Sequence, residues 1–219
     1  MKPVIIFGSG SMARVLYSFI SKKRDVIAFT APDNFVTTGE RIHGRLVIPW
    51  SKLSNCGEAI MMAIGYHEMN GVRAELFDEL LRKNWCVEGY VHKKIIHHTG
   101  VEMSNTCIIY DNVAIHAGSV VGHNVFISSN VSIGHDCKIG DHAWINSGVT
   151  LAGGVEVGER CVLSINSCVA QGVKLGAGTF VGANTLVTQD TEVGAVVVAE
   201  AGKVIAMDSN RFIKLVGQP

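Results

Sequence analysis

Two places in this 219-residue chain hold residue types that do chemistry at a spacing that suits it. The first is His135, followed at once by Asp136. A carboxylate beside an imidazole stabilises the protonated ring, so the neutral ring becomes a better proton acceptor. The second is Gly8-Ser-Gly-Ser-Met-Ala13, directly after the apolar run Val4–Phe7. It matches G-x-G-x-x-[GA] between a strand and a helix, where backbone N–H groups and a helix N-terminus point at a phosphate. A dinucleotide would need an acid at the end of the second strand to hold the ribose. That position is Thr30, with Asp33 beyond Pro32 in the loop. A nucleotide diphosphate therefore suits the turn better; a dinucleotide and a bare tight turn are the alternatives.

The elements that must position His135 follow a six-residue beat. From Met103 every sixth residue is a large aliphatic, through Ile109, Ile115, Val121, Ile127, Ile133, Ile139 and Ile145 to Leu151, and on to Val193. Apolar recurrence at six fits neither the 3.6 of a helix nor hairpins with turns every 8–12 residues. It predicts a solenoid in which each short strand contributes one inward aliphatic. The Gly that often follows the beat suits a tight corner. The Val, Cys, Ser or Thr two residues before it is small and β-prone. With three hexads per turn, residues eighteen apart stack. Asn112, Asn130, Gly148, Asn166 and Asn184 then form one corner column of residues that tolerate left-handed backbone. Sixteen beats make about five coils. In this register His135 lies at an outward corner, in the column Ala117, His135, Gly153, Gln171. The small residues above and below it leave room for a ligand.

Residues 1–95 read differently. Strands at Val4–Phe7, Asp25–Thr30, Leu46–Trp50, Ala59–Gly65 and near Val87–Val91 alternate with helical spacing at Met12–Ile20 and Val72–Leu81. That alternation predicts a small, Rossmann-like parallel α/β domain.

An α/β segment leading into an unbroken hexad run resembles the hexapeptide-repeat acyltransferases, whose fold is a left-handed parallel β-helix. The hand comes from the resemblance, since the usual crossover rule gives a right-handed coil. Gly134-His-Asp-Cys-Lys-Ile-Gly-Asp141 and Ile165-Asn-Ser-Cys-Val169 are similar to one branch in particular. That branch N-acylates nucleotide-linked 4-amino-4,6-dideoxy sugars of the bacillosamine, perosamine, viosamine or anthrose type. The resemblance implies domains at 1–95 for the nucleotide sugar and 96–196 for acyl transfer, with a C-terminal extension at 197–219. It also implies direct transfer from acetyl-CoA or another short acyl-CoA, with His135 as general base. Asp136 supports the ring, and the N–H of Gly153 holds the oxyanion.

Carried over by position, the CoA contacts fall on Trp144 (in place of the usual His), Gly153, Ile165 and Ala183, with Lys203 in the C-terminal loop. The sugar-nucleotide contacts fall on Gly8, Gly10, Ser11, Met12, Thr30 and Gly65. His98 and His116 stack eighteen apart and could line the sugar pocket, against the simpler alternative of a polar ladder. The nucleotide stays open among UDP, dTDP and GDP. Family members are homotrimers that complete each site from two subunits. Ala143, Ala152 and Ala170, taken as outward positions, agree with a covered face. Two alternatives are a sugar O-acetyltransferase of the sialic-acid type and a β-helix assembly module without activity.

Bulk properties narrow the field further. Net charge is zero and no basic stripe is present, which argues against nucleic acid. Six cysteines without C-x-x-C spacing argue against zinc or a disulfide framework. Cys107, Cys137 and Cys161 sit in the small corner slot, as core residues. No apolar run spans a bilayer and no signal peptide opens the chain, so the expectation is a cytoplasmic, metal-free enzyme. Asp141-His142 is a rival His–acid pair in a different slot.

Overall fold

The computed structural model describes residues 2–217. The buried strand β1 (Val4–Phe7) leads through the glycine turn into α1 (Ser11–Ile20). Then come β2 (Val26–Ala31), β3 (Arg41–Ile42), β4 (Arg45–Pro49), β5 (Ala59–Met62), α2 (Gly71–Arg82) and β6 (Cys86–Val87). They form one sheet in the order β3-β4-β2-β1-β5-β6, parallel except for the β3–β4 hairpin. That hairpin lies outside the sequence expectation. Its turn is His43-Gly44, both at positive φ, the combination that two-residue hairpin loops require. α2 packs Phe77 and Leu80 against Ile5, Phe7, Ile60 and Met62 on one face of the sheet. α1 buries Ala13, Leu16 and Ile20 against the other.

The strand expected near Val87–Val91 splits in two. Cys86–Val87 closes the first sheet, whereas Tyr90–Val91 pairs in parallel with Ile108–Ile109 as the first rung of the coil. The ladder thus starts inside the segment expected to end at residue 95. The coil has three faces of seven, six and five parallel strands, two strands more than the sixteen beats counted from Met103. The two added strands carry Val91 and His97 at the beat positions, at an open end where burial is not needed.

Inside the coil the beat residues from Ile109 to Val187 form one core, with Cys107, Val113, Val125, Cys137 and Cys161 filling the slot beside them. A second beat, at positive φ, turns the corners: every sixth residue from Asn112 to Asn184, including Asp136, His142 and Gly148. The glycines that follow the aliphatic have a different cause from the tight turn expected. A Cβ on Gly134 would stand 2.6 Å from the N of Gly153, and one on Gly158 as close to Ala177. They are glycines because the next coil touches them.

The beat fails at its end. Thr191 pairs with Leu175 and Val197 with Val181, so the last turn is two residues short and Val193 points to solvent, 77% exposed. Ala143, expected to face outward, is an inward corner residue with no exposure, and Ala170 packs against the core.

The outward residues give the faces distinct characters. On the joint face Ile108, Phe126, Trp144 and Val162 are buried in a common core with α1. The charged face carries Lys138, Glu156 and Lys174 in a ladder, with both lysines 3.5–3.6 Å from Glu156. The plain face presents Ile96, Ala114, Ser132, Thr150, Cys168 and Leu186, none of them charged. Beyond the coil, α3 (Ser209–Leu215) is capped by the Asp208 carboxylate, which accepts from the N of Arg211 at 3.0 Å.

Candidate functional site

His135 stands at the corner where the chain passes from the plain to the charged face, with its side chain 63% exposed. The next residue, Asp136, takes the left-handed corner conformation (φ 55°) that Asp adopts more readily than most residues. This bends its carboxylate back, and Oδ2 lies 2.7 Å from Nδ1 of His135. A carboxylate only accepts, so Nδ1 carries the proton and Nε2 of the neutral ring keeps a free lone pair. The corner is pinned from inside by Ser119, whose buried hydroxyl donates to the O of Gly134 and accepts from the N of Cys137.

One coil further, Gly153 lies against the imidazole: a Cβ there would stand 2.6 Å from Cε1 of His135. The O of His135 accepts from the N of Gly154 at 2.8 Å, while the N–H of Gly153 makes no hydrogen bond among the described residues. A proton acceptor and an open backbone donor therefore sit side by side. Cys137 is not part of this chemistry. It has no exposure, its Sγ donates to the O of Ala152 at 3.2 Å, and burial pushes its thiol up from the ordinary range. His98 and His116 lie with ring centroids 4.6 Å apart and planes tilted by 51° at the same corner, on the coils below His135.

The rival pair Asp141–His142 is engaged elsewhere. Asp141 Oδ1 accepts from the N of His123 at 2.6 Å. His142 Nδ1 is 3.0 Å from Asn124 Nδ2, and its ring packs edge-on to Phe77 of α2. Burial, and then the charge of Arg73, lower the pKa of His142.

The glycine turn is built as its sequence implies. A Cβ on Gly8 would run into the O of Ala63, just past the ends of the parallel pair β1 and β5. Gly10 caps α1 without a side-chain bond, and the first turn holds no acid, so nothing in the helix neutralises its N-terminal dipole. Ser11 is exposed and Met12 half-buried. Gly65 follows β5 at the same carboxyl edge of the sheet.

Two expected contacts do not fit their places. Thr30 is wholly buried, its hydroxyl donating to the O of Ile48 at 2.7 Å. Asp33 beyond it is held by the N and Oγ of Ser51, which lower its pKa. Trp144 is 6% exposed, stacked on Phe126 at 4.0 Å and facing Tyr66 at 5.2 Å. It belongs to the joint between the two parts of the chain. Ile165 and Ala183 are exposed and stacked at the corner between the joint and plain faces, where the N of Asn184 donates to the O of Ile165 at 3.0 Å. Lys203 is exposed in the tail.

Sequence reasoning missed Arg73, the charged centre of the joint. It is 1% exposed, and its hydrogen bonds among the described residues go to amide and backbone oxygens rather than to a carboxylate. Nη2 donates to the O and Oδ1 of Asn124 at 2.9 and 3.1 Å, and Nη1 to the Oδ1 of Asn70 and the O of His142. The guanidinium lies 5.1 Å from the centroid of Trp144, and burial lowers its pKa to about 9. The available signal was a cation on the α2 stripe of Phe77 and Leu80.

On a single chain, His135 and Gly153 border one edge of the plain face, Ile165 and Ala183 border the other, and the glycine turn overlooks the joint face. No helix among the described residues is long and apolar enough to cross a membrane.

Comparison with known proteins agrees with this layout. The family description GMPPB C-terminal domain matches residues 103–209. No curated protein matches the sequence. PerB from Caulobacter crescentus, solved in complex with CoA and GDP-perosamine, is 26% identical, with a TM-score of 0.78 over 91% of this chain and 95% of that one. The acetyltransferase domain of PglB from Neisseria gonorrhoeae FA1090, in complex with acetyl coenzyme A, is 19% identical, with a TM-score of 0.79 over 90% and 96%. WeeI from Acinetobacter baumannii AYE is 18% identical, with a TM-score of 0.75 over 91% and 97%. In the order and architecture of both parts, the chain is similar to the hexapeptide-repeat sugar-nucleotide N-acyltransferases.

Proposed function

We propose that the protein moves an acyl group, acetyl in the first instance, from acyl-CoA to the amine of a nucleotide-linked 4-amino-4,6-dideoxy sugar. The observation that carries this reading is the Nδ1–Oδ2 bond of His135 and Asp136 beside the open N–H of Gly153. The amine nitrogen attacks the thioester carbonyl and gives its proton to Nε2 of His135. The carbonyl oxygen gains charge facing the Gly153 N–H. The C–N bond forms, the C–S bond breaks, and the thiolate of CoA leaves with the proton held on Nε2. No acyl-enzyme is needed, in keeping with the buried Cys137.

The substrate-binding part is Rossmann-like in this reading, and its glycine turn takes the diphosphate through Gly8, Gly10, Ser11 and Met12, with Gly65 alongside. The coil is left-handed, as in the family. The glycine turn overlooks the joint face while His135 stands at the opposite corner, so a site needs two copies. The uncharged plain face, with Gly153 on one edge and Ile165 and Ala183 on the other, supports a homotrimer that builds the CoA groove there. CoA bound in PerB and acetyl coenzyme A in PglB support the co-substrate.

Purified protein given acetyl-CoA and a panel of GDP-, UDP- and dTDP-linked 4-amino sugars is expected to release free CoA with at least one of them. Release only with hydroxyl acceptors would replace the reading by O-acetylation. No release with any acceptor would reduce the protein to an assembly module.

A further inference from the structure

The tail beyond the coil shows what the plain face alone does not provide. It leaves the coil over the corner of the joint and plain faces. There the N of Ala199 donates to Thr185 Oγ1 at 3.0 Å, and Val198 packs by Gly182. From Val204 onward its apolar side chains meet solvent: Val204 is fully exposed, and Ile205, Phe212, Ile213, Leu215 and Val216 are 45–71% exposed. α3 nevertheless forms, with Asp208 as its N-cap. A seven-residue helix is not stable alone in water, because its nucleation cost is met only by packing. Its apolar side chains therefore need a surface that their own chain does not supply.

The size of the plain face says which surface. Six strands about 4.8 Å apart and a side no wider than about 20 Å give at most roughly 600 Å². A stable association covers about 800 Å² on each partner. The tail starts at the edge of this face, next to the exposed Leu186, so it can extend the contact without a break. We infer that residues 199–217 form an arm that docks α3 on a second copy of the chain, the copy seated against the plain face. Lys203 then lies near the Ile165–Ala183 edge, where the arm crosses between copies. The inference rests on the assembly in the proposed function and is independent of the acyl transfer.

The test uses the full chain with Phe212→Asp and Leu215→Asp together, followed by sedimentation velocity across a dilution series and hydrogen exchange of the α3 amides. Loss of buried apolar anchors should raise the subunit dissociation constant about tenfold or more, with melting of the coil unchanged. In the wild type, protection of α3 should appear only at concentrations where copies associate. Unchanged dissociation with rapid α3 exchange at every concentration would overturn the inference. So would α3 protection that ignores concentration, since the arm would then fold on its own coil. Neither readout depends on turnover, so a failed acceptor panel leaves this result standing.

Discussion

The imidazole of His135 and the Cα of Gly153 share one space on adjacent coils: a Cβ on Gly153 would stand 2.6 Å from Cε1 and 2.9 Å from Cδ2 of the ring. Gly153 is absent from the residues at positive φ, so its backbone would accept alanine without strain. Gly153→Ala is thus a steric change aimed at the ring alone. Displacing a reacting group by about 1 Å can cost roughly 10²-fold in rate, and that is the loss expected in kcat, with thermal melting unchanged. Near-normal turnover would remove both residues from the reacting centre.

Asp136 orients the ring, and its corner conformation can be kept while its charge is removed. Asp136→Asn suits a φ of 55°, because Asn is as tolerant of left-handed backbone as Asp. Its amide can donate to Nδ1 and turn the lone pair of the ring away from the substrate. We expect kcat to fall at least roughly tenfold, since the ring then presents a proton rather than a lone pair to the substrate. His135→Ala should fall further, by roughly 10²–10⁴. Equal, full activity in both variants would reject the general-base role.

The coil was legible because one physical demand, a buried aliphatic on every short strand, repeats at fixed spacing. The demand lapses where the coil ends, and there the pattern misleads. Leu163 is wholly buried, whereas Val193 continues the beat in sequence but not in space. Leu163→Ala should cost about 2–5 kcal/mol and Val193→Ala under about 0.5 kcal/mol, measured by denaturant unfolding. Similar losses at both would mean that the last turn keeps the full eighteen-residue register.

Other features left weaker marks in the sequence. The corner position of His135 was legible because the register set it between small residues. Thr30 and Trp144 were misplaced because a motif position says nothing about which neighbour covers it. Thr30 spends its hydroxyl on the O of Ile48, and Trp144 is covered by Phe126, Tyr66 and Arg73. Arg73 itself went unread because its partners are backbone and amide oxygens more than fifty residues away along the coil, apart from Asn70 nearby. Such a set has no spacing rule.

The joint built on Arg73 gives stability a dependence on pH through His142. Burial and the neighbouring guanidinium hold its pKa below the ordinary value of 6.5, so the folded state binds a proton less readily than the unfolded chain. Stability is therefore full above about 6.5 and falls as pH drops below it, until the folded ring titrates as well. Asp141, Asp78 and Glu159 pull the other way, and burial and Arg73 outweigh them. His142→Asn keeps a residue suited to φ 61° and an acceptor for Asn124 Nδ2, without a titrating group. Urea unfolding between pH 5 and 8, the interval in which histidine ordinarily titrates, should show a loss of stability on acidification in the wild type that is smaller in this variant. Parallel curves for the two proteins would place the acid-sensitive group elsewhere.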